Sequence, residues 1–177
     1  MQIRLATVAD VAALHVLVEC AYRGDSARQG WTHEADMLGG QRTDQAALTE
    51  MLNDPMQRVL IADVDGKTVG SVQIQDRSNG LAYLGQLAVD PEVQAGGIGS
   101  RLVTAAETLA IETFAAMRIE MTVIVQRSEL IAYYLRRGYI ETGEVRPFPI
   151  DDDRFGIATR RDLAFTVLAK PLLSPTP

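Results

Sequence analysis

The alternation of apolar and polar positions at the start of the chain predicts a strand followed by a helix. Residues 2–6 alternate as a short strand does. Thr7 and Asp10 have the spacing of a capping box, which is typical of the first turn of a helix. Apolar residues of helical spacing follow at Val11, Leu14, Val18 and Tyr22. These positions form one stripe, as expected for a helix that buries a single face.

A segment without periodicity follows, over residues 23–40. Its glycines and polar residues predict a loop. A second helix is predicted over residues 44–53, and Pro55 ends it. Loops of more than about 12 residues are usually functional or disordered. Because this loop carries the chain's only tryptophan, Trp31, we interpret it as a candidate lid over a substrate.

Three strands are then predicted from runs rich in β-branched residues. They cover residues 58–64, 68–75 and 81–89. Asp65-Gly66 and Asn79-Gly80 lie between these runs, and such dipeptides favour tight hairpin turns. The three strands are therefore expected to form an antiparallel meander.

Helical spacing returns after the meander. A helix is predicted from residue 98 to residue 117, a strand over 120–125, and a short helix over 128–137 that ends at Gly138. Further strands are predicted at residues 139–145 and 163–169. The strand–helix–strand order implies a parallel pair joined by a right-handed crossover, so the sheet is expected to be mixed.

The composition of the 177-residue chain narrows the classes of function. No apolar run is long enough to span a membrane, and one cysteine with two histidines predicts neither a disulfide nor a metal site. The net charge of −6 argues against nucleic acid and favours a cationic small molecule or basic peptide, although the same charge also serves solubility. No secretory signal is readable, which predicts a cytoplasmic location.

A glycine-rich stretch carries the most specific chemistry. Residues 94–100 lie between the strand that ends at Val89 and the helix that begins near Ile98. Glycines at a helix start let main-chain N–H groups approach an anion, and a pyrophosphate fits that arrangement. A tight turn without a ligand is the plainer interpretation. Two other phosphate loops fit poorly, because no Gly-Lys-Ser or Gly-Lys-Thr occurs and Leu102 stands where the dinucleotide pattern needs Gly or Ala.

Two motifs in this order resemble a known family. Leu87-Ala88-Val89-Asp90-Pro91 followed by Gln94-x-x-Gly97-x-Gly99 resembles the acetyl-CoA signature of the GNAT acetyltransferase superfamily. Tyr134-x-x-x-Gly138-Tyr139 resembles its second landmark. The order of predicted elements agrees with that family over residues 3–169.

The resemblance implies an α/β (α+β) fold, with a mixed, mostly antiparallel central sheet of six to seven strands flanked by about four helices. It implies one domain over residues 1–172 and a flexible tail over residues 173–177. The implied activity is an N-acetyltransferase that uses acetyl-CoA as co-substrate, without a metal, to acetylate a primary amine of a small molecule or peptide by direct attack in a ternary complex. No nucleic-acid or membrane partner is implied, and homodimers are common among similar proteins.

The resemblance also assigns residues to the cofactor. The implied cofactor-binding residues are Leu87, Ala88, Val89, Gln94, Ala95, Gly96, Gly97, Ile98, Gly99, Ser100 and Arg127. Ala95 and Arg127 depart from the common pattern, since many relatives have glycine and asparagine there. Arginine can bind phosphate directly, but a surface charge at a helix start is equally consistent with this position. The amide near Leu87 or Ala88 is expected to stabilise the thioester oxyanion.

Tyr134 is the candidate general acid, because a phenol stays protonated at neutral pH and can protonate the departing thiolate. It also shares a helix face with apolar residues, so a core role is the alternative. No general base is identified: the strand before the glycines has no carboxylate, and Glu34 and Asp36 in the long loop are candidates that also fit solvated loop charges. Trp31 and Glu34 are candidate substrate contacts, and the sequence does not choose between an amino acid and a polyamine.

Two other functions remain open at this point. The missing base suggests a non-catalytic acyl-CoA-binding regulatory module. A different nucleotide-binding α/β domain, for NAD or ATP, is the third possibility.

Overall fold

The computed structural model describes residues 1–152 and 155–172, so the predicted tail at 173–177 lies outside the described residues. The strands are β1 (Gln2–Leu5), β2 (Leu38–Gly39), β3 (Gln57–Val64), β4 (Lys67–Asp76), β5 (Leu81–Val89), β6 (Arg118–Ile124), β7 (Ile140–Pro147), β8 (Ile157–Ala158) and β9 (Ala164–Pro171). The α-helices are α1 (Val11–Tyr22), α2 (Gly24–Arg28), α3 (Gln45–Asn53), α4 (Ile98–Phe114) and α5 (Ser128–Leu135).

Seven of these strands form one sheet in the order β1-β3-β4-β5-β6-β9-β7. Every neighbouring pair is antiparallel except β5 and β6, which are parallel. The predicted mixed, mostly antiparallel sheet is therefore confirmed. The prediction of an irregular loop over residues 23–40 was incomplete, because this segment contains α2 and also β2, which pairs with β8. Pairing with a strand more than 100 residues away leaves no local pattern.

Alternate side chains of β3 pack against helices on the two faces of the sheet. Val59 and Ile61 join a core cluster with Leu48 of α3 and residues of α1. Leu60 and Ala62 belong to the larger cluster that includes α4. This division follows from the twofold alternation of side chains along a strand. Helices thus pack on both faces of the middle strands, and these strands carry the candidate site.

The start of the chain has the predicted capping geometry. The Thr7 amide donates a 2.8 Å hydrogen bond to Oδ2 of Asp10, at the 3₁₀ turn that leads into α1. The same carboxylate accepts from the Arg4 guanidinium, with Nη2 at 2.8 Å from Oδ1. These contacts fix α1 against the first strand. Among the described residues, no helix has the length and apolar character that crossing a bilayer demands.

Strands β5 and β6 separate after a short paired stretch. In the described residues their pairing runs from Leu81 opposite Arg118 to Tyr83 opposite Glu120 and goes no further. Beyond Tyr83 the two strands diverge, so main-chain groups and side chains on their facing edges border a gap in the sheet. The sequence motifs at residues 87–100 follow directly from the diverging half of β5.

A β-bulge lies in that half of β5. Ser71 pairs with Ala88 and Gln73 pairs with Gly85, so a single residue of β4 faces both Gln86 and Leu87. Gln86 has φ 45°, a left-handed conformation that a residue with a side chain rarely adopts. Strain of this kind is held in place by its surroundings and is common at functional sites.

Candidate active site

The glycine stretch forms a 3₁₀ turn followed by the N-terminus of α4. The turn covers Pro91–Gly96, and Gly97 then takes φ 70°, where an L-residue is disfavoured. No described side chain caps the first turn of α4, and that turn carries no acidic residue. The N–H groups of a first helical turn have no acceptor within the helix. They are therefore available to an anion, as the sequence predicts.

A cavity of about 120 Å³ adjoins this turn, and we call it the glycine-loop cavity. It brings together many residues that the sequence proposes for the site: Trp31, Leu87, Val89, Gln94, Gly97, Gly99, Ser100, Arg127 and Tyr134. Ala88 and Ile98 lie instead in the core. Gly96 is exposed in the 3₁₀ turn, which also contains Ala95.

A second cavity, of about 140 Å³, fills the gap between β5 and β6, and we call it the inter-strand cavity. Glu34, Arg42 and Phe165 are among the residues that line it. Five residues border both cavities: Tyr22, Leu87, Arg127, Leu130 and Tyr134. The two cavities therefore adjoin each other at the bulged part of β5, one on each side.

Tyr134 lies at this junction. Its side chain is buried, and its ring packs edge-on against Tyr133 and Tyr139 with centroids 5.1 and 5.6 Å away. Its hydroxyl has no hydrogen-bond partner among residues 1–152 and 155–172. Burial raises the pKa of Tyr134 above that of a free phenol, so the group remains a proton donor at neutral and mildly alkaline pH. Tyr134 can therefore pack its ring in the core and still present its hydroxyl to a ligand.

Tyr22, which the sequence reading placed only in a helix stripe, contacts the bulge. Its hydroxyl donates a 2.9 Å hydrogen bond to the Leu87 carbonyl. Burial raises the pKa of Tyr22, which keeps that donor protonated. The sequence implied free main-chain groups at residues 87–89, but this carbonyl already has a partner. The contact fixes the orientation of the peptide unit at the meeting point of the two cavities.

Trp31 and Gln94 connect the long loop to the glycine stretch. The Trp31 amide donates to Oε1 of Gln94 at 2.9 Å, and the Trp31 ring packs on Tyr133 with centroids 5.5 Å apart. A Cβ added at Gly30 would lie 2.9 Å from the Gln94 amide group, so the loop approaches this side chain closely. Trp31 therefore lies beside the glycine-loop cavity and does not line the inter-strand cavity.

Arg137 is a basic residue beside the glycine loop that the sequence reading missed. Its guanidinium donates to Oγ of Ser100 and lies 3.4 Å from the centroid of the Tyr133 ring. These contacts hold a permanent positive charge next to the first turn of α4. The available signal was its position at the end of the predicted helix. In the structure α5 ends at Leu135, and Arg137, just beyond it, donates to the Tyr133 carbonyl at 2.9 Å.

Glu34 is buried rather than solvated. Its carboxylate accepts hydrogen bonds from Nη1 of Arg23 at 2.5 Å and from Nη1 of Arg127 at 3.5 Å. Arg127 also donates to Oγ1 of Thr32 at 3.3 Å. Arg127 therefore faces the junction of the cavities with a carboxylate partner, away from the open surface. Asp36, the other loop carboxylate, pairs with Arg28 at the surface.

A protein-family comparison shows the family of the chain. A model of the acetyltransferase (GNAT) domain matches residues 26–148, which is more than half of the chain. The chain belongs to the GNAT acetyltransferase family. This GNAT protein is accordingly an acyl-CoA-dependent acetyltransferase, and the resemblance inferred from the two motifs is confirmed. No curated protein gives a significant sequence match to it.

Solved structures share the fold of this GNAT protein. The ribosomal-protein-alanine N-acetyltransferase from Brucella melitensis is 21% identical, with 97% of this chain and 100% of that chain covered and a TM-score of 0.73. The yncA structure from Salmonella typhimurium, which holds its cofactor acetyl-CoA, is 18% identical, with coverage of 100% and 96% and a TM-score of 0.71. A spermidine N-acetyltransferase chimera of Vibrio cholerae SpeG and hSSAT is 17% identical, with coverage of 97% and 95% and a TM-score of 0.70. At these identities the likeness shows the fold alone.

Proposed function

We propose that this GNAT protein transfers the acetyl group of acetyl-CoA to a primary amine of a small molecule or peptide by direct attack in a ternary complex. One observation carries the proposal. Tyr134, a protonated phenol without a described partner, lies where the glycine-loop cavity meets the inter-strand cavity. A cofactor on one side and an amine on the other would meet at this residue.

The glycine-loop side fits the cofactor. The uncapped first turn of α4 offers N–H donors to the diphosphate, and Ser100 and Arg137 add a hydroxyl and a cation beside them. A thioester supplies an activated acyl group and a thiol leaving group. The bulge at Leu87, held by Tyr22, is the place where a main-chain amide would stabilise the negative charge that develops on the carbonyl oxygen.

Tyr134 would donate a proton to the departing thiolate of coenzyme A. Its buried position suits this role, because a group that keeps its proton at neutral pH is always ready to donate it. Neither loop carboxylate is placed as a simple general base, since Glu34 and Asp36 both accept hydrogen bonds from arginines. An acceptor amine with a low pKa that loses its proton to solvent accounts for the same step without a base.

The proposal is tested by measuring thiol release from acetyl-CoA over a panel of amino acids, polyamines, aminosugars and peptides, with mass spectrometry to detect the N-acetyl product. Direct attack predicts intersecting initial-rate lines when both substrates are varied, whereas a covalent acyl-enzyme gives ping-pong kinetics with parallel lines. Cys20→Ala is the matched control and should retain full activity. Acetyl-CoA binding without turnover of any amine would instead support a regulatory module.

A further inference from the structure

The inter-strand cavity has an unusual distribution of charge. Glu34 lies within 4 Å of three guanidinium groups: Arg23 at 2.5 Å, Arg127 at 3.5 Å and Arg42 at 3.8 Å. Exposure of the three arginine side chains is only 7%, 11% and 23%, and that of Glu34 is 9%. One carboxylate therefore faces three cations, and an excess of positive charge is held largely away from water.

The neighbouring carboxylates of residues 1–152 and 155–172 do not balance this excess. Glu19 accepts the main-chain amides of Arg42 and Thr43 at 2.7 and 2.9 Å, so it fixes the loop that carries Arg42. Asp44 caps α3 through the Ala47 amide at 2.8 Å. Among the described residues that line the inter-strand cavity, Glu34 is the sole acidic side chain.

Several guanidinium donors also lack acceptors. Nε of Arg23 and Nε of Arg127 are fully buried without a hydrogen-bond partner in the described part of the chain. The Arg42 guanidinium makes no hydrogen bond to any described residue, and its closest interactions are the 3.8 Å ion pair and the Tyr22 ring, 5.1 Å away. Arg42 and Arg127 both line the cavity.

Burying unbalanced charge is costly even after the surroundings relax. Arginine cannot relieve this cost by losing its proton. A ligand that brings a negative group to Arg42 and Arg127 would balance the charge and fill the open donors. A polyamine would add positive charge to the same place and would be repelled.

The shape of the site limits the ligand further. The inter-strand cavity measures about 140 Å³, and its walls include the aromatic rings of Tyr83 and Phe165. A larger cavity of about 550 Å³, which we call the outer cavity, shares Arg42, Gln86 and Phe155 with it. Arg42 thus borders both cavities on the side away from the glycine loop. A compact molecule with an apolar part and an anionic end fits these walls.

We propose that the amine acceptor carries a carboxylate, as a free amino acid does, and that Arg42 and Arg127 bind this carboxylate while the amine points towards Tyr134. This inference rests on the proposed function and names its class of acceptor. It reverses the expectation from the net charge of −6, because the charge lining one small cavity acts on the ligand more strongly than the average charge of the surface.

The test uses matched acceptors. Kinetics of thiol release are measured for a series of amino acids, for the carboxamide of each one, and for putrescine and spermidine. A charge-assisted contact predicts that kcat/KM is about 10- to 100-fold higher for the carboxylates than for their amides. Arg42→Gln should remove most of this preference by raising the acceptor KM, with the KM for acetyl-CoA unchanged.

Arg58→Gln is the matched control, since Arg58 also lies over an aromatic ring, 5.8 Å from Phe114, but outside the three cavities. It should leave the preference intact, and thermal denaturation checks that both variants fold. Acetylation of amides or polyamines at rates equal to those of amino acids would overturn the inference and leave the proposed function standing. Failure of every amine to react, with acetyl-CoA still bound, would overturn both.

Discussion

The hydroxyl of Tyr22 donates a 2.9 Å hydrogen bond to the carbonyl of Leu87, which is 65 residues further along the chain. The bond joins the C-terminus of α1 to the bulge of β5, where the glycine-loop and inter-strand cavities meet. A tyrosine from the first helix thereby holds the peptide unit beside which a thioester is proposed to react.

Tyr22→Phe removes that hydrogen bond and frees the bulge to move. One hydrogen bond is worth about 1 kcal/mol, so we expect kcat to fall about fivefold. Tyr139→Phe is the control, because it loses a comparable hydroxyl bond, to Glu107 at 3.0 Å, outside all three cavities. Thermal denaturation should show similar losses of stability for the two variants. Steady-state kinetics should show a reduced kcat for Tyr22→Phe alone. Equal kcat values would argue against a role for the bulge.

Tyr134→Phe should lower kcat roughly 100-fold, the scale of general acid catalysis, without loss of stability, since the hydroxyl has no described partner. Tyr133→Phe is its neighbour control. The pKa of Tyr134 is raised by burial, so its proton is lost only at a pH above that of a free phenol. The pH profile of kcat should therefore show no decline from this residue up to about pH 10. A fall in kcat near pH 8 that disappears in Tyr134→Phe would contradict the raised pKa of Tyr134.

Gly97→Ala should weaken cofactor binding. The substitution costs about 1 kcal/mol because Gly97 has φ 70°, and no atom lies within 4 Å of the added Cβ, so strain is the only direct effect. Movement of the loop should raise the dissociation constant of acetyl-CoA about fivefold. Gly66→Ala is the matched control, because Gly66 also has a positive φ, 79°, and open space around an added Cβ, in the hairpin between β3 and β4. Calorimetric titration with acetyl-CoA should show weaker binding for Gly97→Ala than for Gly66→Ala. Unchanged affinity in Gly97→Ala would count against a diphosphate site at this turn.

Arg137→Gln removes the cation that contacts Ser100. We expect the KM for acetyl-CoA to rise about tenfold, since a charge-assisted contact to phosphate is worth about 1.5 kcal/mol or more. The effect should vanish with S-acetyl-N-acetylcysteamine, a thioester that has no phosphates. Arg160→Gln serves as control because Arg160 pairs with Asp162 at the surface. A loss of similar size with the short thioester would mean that Arg137 acts only through packing.

Asp10 links the capping turn to Arg4, and hydrogen bonds from the Arg4 guanidinium lower the pKa of its carboxyl group. A lowered folded-state pKa gives stability that is present above the unfolded value of about 3.9 and lost as the pH falls below it. Asp10→Asn should therefore have a lower melting temperature than the wild type at pH 7. This gap between the two melting temperatures should narrow as the pH falls from 4 to 2. Asp25→Asn, at a side chain that is 97% exposed, should show no such gap at either pH. A gap for Asp10→Asn that is independent of pH would refute the charge-based explanation.

The location, oligomeric state and partners of this GNAT protein stay predictions from its sequence. So do the one-domain boundary at residue 172 and the expectation that no metal takes part.

The sequence by itself determined the features that depend on neighbouring residues. Side-chain periodicity gave the order of the strands and main helices, dipeptides such as Asp65-Gly66 gave the turns, and the spacing of Gly97 and Gly99 gave the glycine turn before α4. Such features are local, because a helix start or a tight turn is made by residues within a few positions of each other.

Only the tertiary structure decided the chemistry of the inter-strand cavity. Glu34 and Arg127 are 93 residues apart, and their meeting depends on α1, the long loop and β6 packing around one gap in the sheet. No local pattern records such a contact, since each charge looks like an ordinary surface residue in its own segment. Burial turned a loop carboxylate into the centre of an arginine cluster, because the chain folds these distant segments around one cavity.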